Sequence, residues 1–454
     1  MWVMGLARPP VLPGPGRGAL RTWVTRIGDG MEAVPMMRMP GLGRDSSVLV
    51  YAWFLWGLGT GLWAYTWPVF LSGLGADSVE VGAVIGIGSL IATLVYLPGG
   101  FVAQYGYHKW QTVVLHGLHT VATGTFVMAT SWWHVVPGVF VQNFVALLAP
   151  AVNSFLTRIA DEERIGVARL YSVIGSAQFV AMTVSPPVGG WVAREFGDGA
   201  VFPLALIGCG LSVTMMAMLR SHTGPSRVDD TGAPLDPAAS AAPSTTTRPS
   251  AFSQGWDVYR SLLAMPVIRM LLATSLAIHA SIHLAVQFAP LFLREEYGFD
   301  SAAIGWTGSA ASAGAALLVL LIERVRRRRG LLVAMYVACA LTAAHYVLIL
   351  SSPLLAVQLV GYAGRGAMAA LGTLITVALT DWCPRSQVAG GVALLATAAG
   401  VAAIIFPPLG GWLYSIDPRA PFAMAVVVIG GAQFLVWRTF RARREDAIPS
   451  VVAV

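Results

Sequence analysis

Apolar stretches of about 20 residues or more, long enough to cross a bilayer as an α-helix, recur at 48–71, 81–105, 110–131, 135–157, 170–193 and 200–219. The pattern then changes. Residues 221–256 turn polar, with Asp229-Asp230 and the run Pro243-Ser244-Thr245-Thr246-Thr247, and read as a disordered linker. Six more apolar runs follow, at 267–293, 302–322, 331–350, 354–380, 387–415 and 420–440. The expected fold class is an all-α membrane protein with twelve transmembrane helices in two pseudo-symmetric six-helix bundles. Its expected segments are a disordered cytoplasmic tail (1–45), an N-terminal bundle (46–220), a cytoplasmic linker (221–262), a C-terminal bundle (263–441) and a cytoplasmic tail (442–454).

The two sets share a sequence signature. Pro186-Pro187-Val188-Gly189-Gly190-Trp191-Val192, near the end of the fifth run, returns 221 residues later as Pro407-Pro408-Leu409-Gly410-Gly411-Trp412-Leu413, near the end of the eleventh. Duplicated bundles of this kind build alternating-access carriers, with the substrate site near mid-membrane where the halves meet. In each copy the prolines remove backbone donors and bend the helix, while the glycines let another backbone come close. Pro186, Gly190, Pro407 and Gly411 are therefore candidate gating positions, with a kinked packing helix as the plainer alternative.

Composition agrees with lipid as the main solvent. Hydrophobic residues make up 56% of the 454, charged residues 11%, and mean hydropathy is +0.68; the charged share is about half that of a soluble domain. The net charge of +7 is spread between apolar spans instead of forming a basic domain, which excludes nucleic acid as the expected partner. All but four of the 29 Lys and Arg residues fall on one side if both termini are cytoplasmic, the exceptions being Arg194, Arg294, Arg365 and Arg419. Positive charge is retained on the cytoplasmic side, so a multi-pass plasma-membrane protein with both termini inside is expected. Cys209, Cys339 and Cys383 have no metal-ligand spacing. No phosphate-binding Gly-x-x-x-x-Gly-Lys loop and no supported Ser/His/Asp order appear. The expectation is no enzyme activity, no catalytic residue, no cofactor and no metal.

Arg365 is the candidate for chemistry. It lies about eleven residues into span ten, close to the bilayer centre, where an Arg costs at least about 2.5–3.5 kcal/mol and must face protein or a watery cavity. A bound anion is a natural counter-charge, with backbone carbonyls, His, Tyr and water as alternatives. In span seven Ser275, His279, His283 and Gln287 recur every four residues on one helical face; interhelical hydrogen bonding is the alternative to a binding role. The histidines offer the groups nearest neutrality for carrying a coupling proton. Span one sets Trp56, Thr60, Trp63 and Trp67 on another single face, and Trp63 and Thr60 are candidate substrate contacts, against core packing. Span four has no charge between 135 and 157, only Gln142, Asn143 and Asn153.

With these spans in place, the chain resembles the major facilitator superfamily (MFS). Gly99-Gly100-Phe101-Val102-Ala103-Gln104-Tyr105-Gly106-Tyr107-His108-Lys109 is similar to its Gly-x-x-x-Asp-Arg-x-Gly-Arg-Arg loop, with Ala103 in place of the Asp. Glu323-Arg324-Val325-Arg326-Arg327-Arg328 stands at the matching place in the second half, and Ser185-Pro186-Pro187-Val188-Gly189-Gly190 resembles the Gly-Pro-x-x-Gly-Gly motif of drug and proton exchangers. The resemblance implies that spans one, four, seven and ten line the cavity. It thus groups Arg365, His279, His283, Gln287, Trp63, Thr60, Gln142 and Asn143 as substrate contacts, and Gly99, Gly106, Lys109, Glu323 and Arg324 with the prolines and glycines as gating positions. The expected function is secondary active or facilitative transport of a small organic solute, anionic or polar. The expected partners are that solute, protons as a coupling ion, and the bilayer, around a monomer. A proton-coupled multidrug or metabolite exporter, and a non-transporting sensor or scaffold with the carrier fold, stand as alternatives.

Overall fold

The computed structural model describes residues 38–103, 108–220 and 251–447, and every regular element among them is a helix. Each of the twelve expected runs is mainly helical over its described residues. Ten helical segments are long and apolar enough to cross a membrane; spans one and three supply the other two positions, as Arg44–Gly61 with Trp67–Gly73 and as His108–Val127.

Eight spans are continuous: Ser78–Ala103, His108–Val127, Val167–Phe196, Val201–Ala217, Ser301–Arg329, Leu331–Ser351, Val388–Ile416 and Ala420–Ala447. Spans one, four, seven and ten are broken. Span one stops at Gly61 and restarts at Trp67, span seven stops at Ala285 and restarts at Ala289, and span ten divides between Arg365 and Ala367. Span four runs as Val136–Phe144 and Ala149–Glu162 around a tighter turn, Val145–Leu148. Proline explains three of the four. Pro68, Pro150 and Pro290 each sit in the first turn of the resumed helix, the one place where a missing N–H costs no helical hydrogen bond. In span ten the break falls at Gly366, where an added Cβ would strike the backbone of Gly314 and Ala315 in span eight.

The connections after the odd-numbered spans gather at one end, here called distal because the start of span one and the close of span twelve lie at the other. There Trp132 N donates to Leu74 O at 3.2 Å, and Tyr297 Oη donates to Ile349 O at 2.8 Å. Also at that end the Gln358 side-chain amide, wholly buried, donates to the carbonyls of Leu348 (3.1 Å) and Ser352 (2.6 Å), satisfying acceptors that the end of span nine leaves free. One core cluster belongs to the N-terminal half (Leu49, Phe155, Ile159), one to the C-terminal half (Ile268, Leu374, Leu379), and a third joins both at the distal end (Phe70, Phe202, Phe292, Phe422).

Two boundaries differ from expectation. Ala251–Ala264, at the close of the expected disordered linker, is helical, with Leu262 buried and Val258 packed against the C-terminal core. The final helix runs to Ala447, into the expected tail. Apolar side chains at helical spacing secure the first; hydropathy cannot mark the second, because a helix can outlast its membrane-embedded portion. Residues 1–37, 221–250 and 448–454 of the expected tails and linker lie outside the described residues.

Candidate functional site

The seam between the halves is built from the repeated proline-glycine segments. A Cβ on Gly305 of span eight would strike the Pro186 carbonyl oxygen and lie 3.0 Å from Pro187 Cα; one on Gly82 of span two would strike the Pro407 carbonyl oxygen and lie 3.0 Å from Pro408 Cα. The pattern continues a turn further on. Gly190 abuts the Ser301 carbonyl and Gly411 the Ser78 carbonyl, while Gly189 and Gly410 abut the carbonyls of Leu62 and Leu284, beside the breaks in spans one and seven. Only glycine permits such backbone approach. Ser78 Oγ donates to Gly411 O at 3.0 Å, and Ser309 Oγ donates to Thr183 O. Charge crosses the distal seam twice: Arg294 pairs with Asp198 at 2.6 Å, and Arg194 Nη1 lies 3.6 Å from Asp300 Oδ2. Ser301 Oγ also donates to Asp198 at 2.7 Å.

Behind this seal lies a cavity of about 450 Å³, within the usual range for small-molecule sites. Tyr65 enters it from the break in span one, Gln178 and Met182 from span five, Ile282 and Val286 from span seven, Ser312 from span eight, and Arg365 and Met368 from the break in span ten. The Arg365 guanidinium carbon lies over the rings of Tyr65, at 5.2 Å, and Tyr362, at 5.9 Å. Ring faces attract a cation. Arg365 makes no hydrogen bond or ion pair with a described residue, so its N–H fork remains uncommitted. Tyr65 Oη and Ser312 Oγ stand 3.3 Å apart, linking the halves at the cavity wall. The Tyr362 ring lies 5.0 Å from that of the wholly buried His345, whose Nδ1 is 3.0 Å from Gly361 O, and the equally buried Tyr346 donates through Oη to Ser281 O at 3.0 Å.

Of the eight expected substrate contacts, Arg365 alone lines this cavity. His279, His283 and Gln287 do not: span seven turns Ile282 and Val286 toward it, about 100° around the helix from the polar stripe. His279 Nδ1 instead meets Ser275 O of its own helix at 2.8 Å. Trp63 is buried in the distal core against Trp67, Phe126 and Phe202, with ring centroids 5.3–6.0 Å away. Thr60 Oγ1 donates to Trp56 O at 2.9 Å and lies 4.0 Å from Met182 Sδ, one layer behind the wall. Asn143 Nδ2 donates to Val139 O at 2.8 Å on a face packed against Gly88 of span two, and Gln142, half-buried, is also off the cavity. Trp63→Ala is accordingly expected to lower stability by about 3–5 kcal/mol, read as a fall in melting temperature in detergent. Solute affinity measured below that temperature should not change.

Among the expected gating residues, Gly99 packs against the Leu147 carbonyl of span four. Lys109 is buried, its Nζ 5.4 Å from the Trp110 ring centroid. Glu323 pairs with Arg326 (2.7 Å) and Arg327 (2.8 Å) of its own helix, and Arg324 is exposed. Gly106 lies outside the described residues. Tyr65 was missed from sequence. Its signal was Pro68, which marks a helix restart just after it.

Twelve helical runs, four of them broken and three of those four lining one cavity, with two halves meeting on repeated glycines, define the architecture of a membrane transporter. The chain belongs to the Major Facilitator Superfamily, whose family model matches residues 49–371 and again 287–452. It is 25% identical over 141 residues to an uncharacterised MFS-type transporter of Methanocaldococcus jannaschii; that match spans 31% of this chain and 36% of the relative. Among solved structures it is similar to the nucleoside transporter NupG (14% identity, TM-score 0.69, 88% of this chain and 99% of that one). A bacterial homologue of the iron transporter ferroportin in an inward-facing state is similar too (12%, TM-score 0.65, 87% and 98%), as is a bacterial homologue of the human lysosomal transporter Spinster (13%, TM-score 0.62, 88% and 97%). At these identities the likeness is one of fold.

Proposed function

We propose that this protein is a secondary active or facilitative carrier. It moves a small organic solute, anionic or strongly polar, across the plasma membrane by alternating access, with both termini cytoplasmic and Arg365 as the substrate contact. One observation carries the reading: a cation without a hydrogen-bond or ion-pair partner among the described residues faces a cavity where the breaks in spans one and ten meet. A charge at that depth is stabilised by an incoming anion or by water, and broken helices are where carriers of duplicated design hold their cargo. The proline-glycine seams act as the distal gate. They pack backbone on backbone and are held by ion pairs exposed enough to break and reform.

Proton exchange through His279 or His283 draws less support, since neither side chain lines the cavity. A flux that ignores an imposed pH gradient would remove that reading. In proteoliposomes Arg365→Ala is expected to abolish saturable uptake of any anion the wild type carries. Unchanged saturation for every such anion overturns the assignment, and ligand binding with no solute movement favours a sensor over a carrier.

A further inference from the structure

Resting on the assignment of Arg365 as the substrate contact, we infer that the cargo is an amphipathic monoanion, an organic carboxylate or sulfonate with an apolar body. The charge balance of the wall is the first ground. Among the described residues Arg365 is its one formally charged member; no described Asp, Glu, Lys or His lines the cavity. A monoanion brings that wall to neutrality. A dicarboxylate, or a phosphate monoester at about −1.5 to −2, would leave charge uncompensated at mid-membrane depth.

The second ground is how the guanidinium is held. Two tyrosine rings take the cation on their faces, and no described acceptor takes its N–H groups. A guanidinium ordered in this way offers a planar fork, which matches the two oxygens of a carboxylate. The third is the rest of the wall. Phe179, Met182, Ile282, Val286 and Met368 are apolar, and the neutral polar side chains are Tyr65, Ser312 and Gln178, the first two already within reach of each other. A sugar or nucleoside would need a partner for each buried hydroxyl. An aliphatic or aromatic body needs none.

The test uses the full chain in detergent, with melting temperature and equilibrium binding read against five probes: 4-phenylbutyrate, benzenesulfonate, the neutral 4-phenylbutanamide, the dianion adipate, and uridine. Both monoanions are expected to saturate, with dissociation constants at least about tenfold below those of the amide, adipate and uridine. Arg365→Lys, which keeps the charge and loses the fork, should raise the constant for 4-phenylbutyrate about tenfold or more while leaving the unliganded melting temperature in place. No saturable response to either monoanion, equal binding of the amide, or tighter binding of adipate or uridine overturns the inference. Adipate binding that disappears in Arg365→Ala would overturn it while sparing the carrier reading; anion binding indifferent to both Arg365 variants sinks the two together. If Arg365→Ala does not fold, the Lys variant carries the comparison.

Discussion

Gly305→Val is expected to hold the distal seam open and to stop transport. The first carbon of the new side chain would meet the Pro186 carbonyl oxygen and lie 3.0 Å from Pro187 Cα, and both obstacles are backbone, so no rotamer change relieves them. Overpacking of this kind costs about 1–3 kcal/mol where the surroundings can give, and more where they cannot. Here relief comes by separating the halves. With a cysteine placed at Ala302 as reporter, labelling by a membrane-impermeant maleimide should accelerate about tenfold or more, since each 1.4 kcal/mol moves a two-state equilibrium tenfold. Gly82→Val, at the symmetry-related contact with Pro407 and Pro408, should behave alike. Gly430→Ala, where an added methyl meets nothing within 4 Å, serves as the neutral control. A reporter that labels no faster in the valine variants would show that the seam does not depend on these contacts.

Gln358→Glu should be the most damaging near-isosteric change outside the cavity. The native amide donates to three carbonyls at the turn from span nine to span ten, those of Leu348 (3.1 Å), Ile349 (3.4 Å) and Ser352 (2.6 Å), in a side chain with no exposure. A carboxylate there sets acceptor against acceptor and buries a charge as well. Losing a buried donor costs about 1–3 kcal/mol, and more when a charge is involved. The melting temperature of the detergent-solubilised protein should therefore fall further for Gln358→Glu than for Gln358→Leu, which only leaves the carbonyls unpaired. Equal stability of the two variants would mean that the turn is held by other contacts.

Much of the fold was legible because lipid leaves few options: an apolar run of 20 residues must be helical, so span positions followed from hydropathy alone. Helix breaks within those runs do not alter hydropathy, and the count of apolar residues passed over Gly61–Trp67 without a mark. Pro68, Pro150 and Pro290 carried the missing information in a form that periodicity does not weigh. At the site, Arg365 was legible because a charge at such depth is costly anywhere. Trp63 and the span-seven histidines lie off the described cavity for one shared reason. A stripe shows which residues face together, yet the direction it faces is settled by neighbours, and a rotation of one residue was enough to put Ile282 and Val286 in place of His283 and Gln287. The proline-glycine repeats were readable as a duplication; that each motif serves the opposite half became visible only in three dimensions.

That crossing has a geometric corollary. Gly82 and Ser78 receive a motif from the C-terminal half, and Pro186 and Gly190 are received by it, so the N-terminal half alone presents both lock and key. Such a surface is isologous: placed about a dyad, two identical copies would satisfy each other's contacts with nothing left over. The present molecule therefore has the form of a homodimer whose subunits have been tethered.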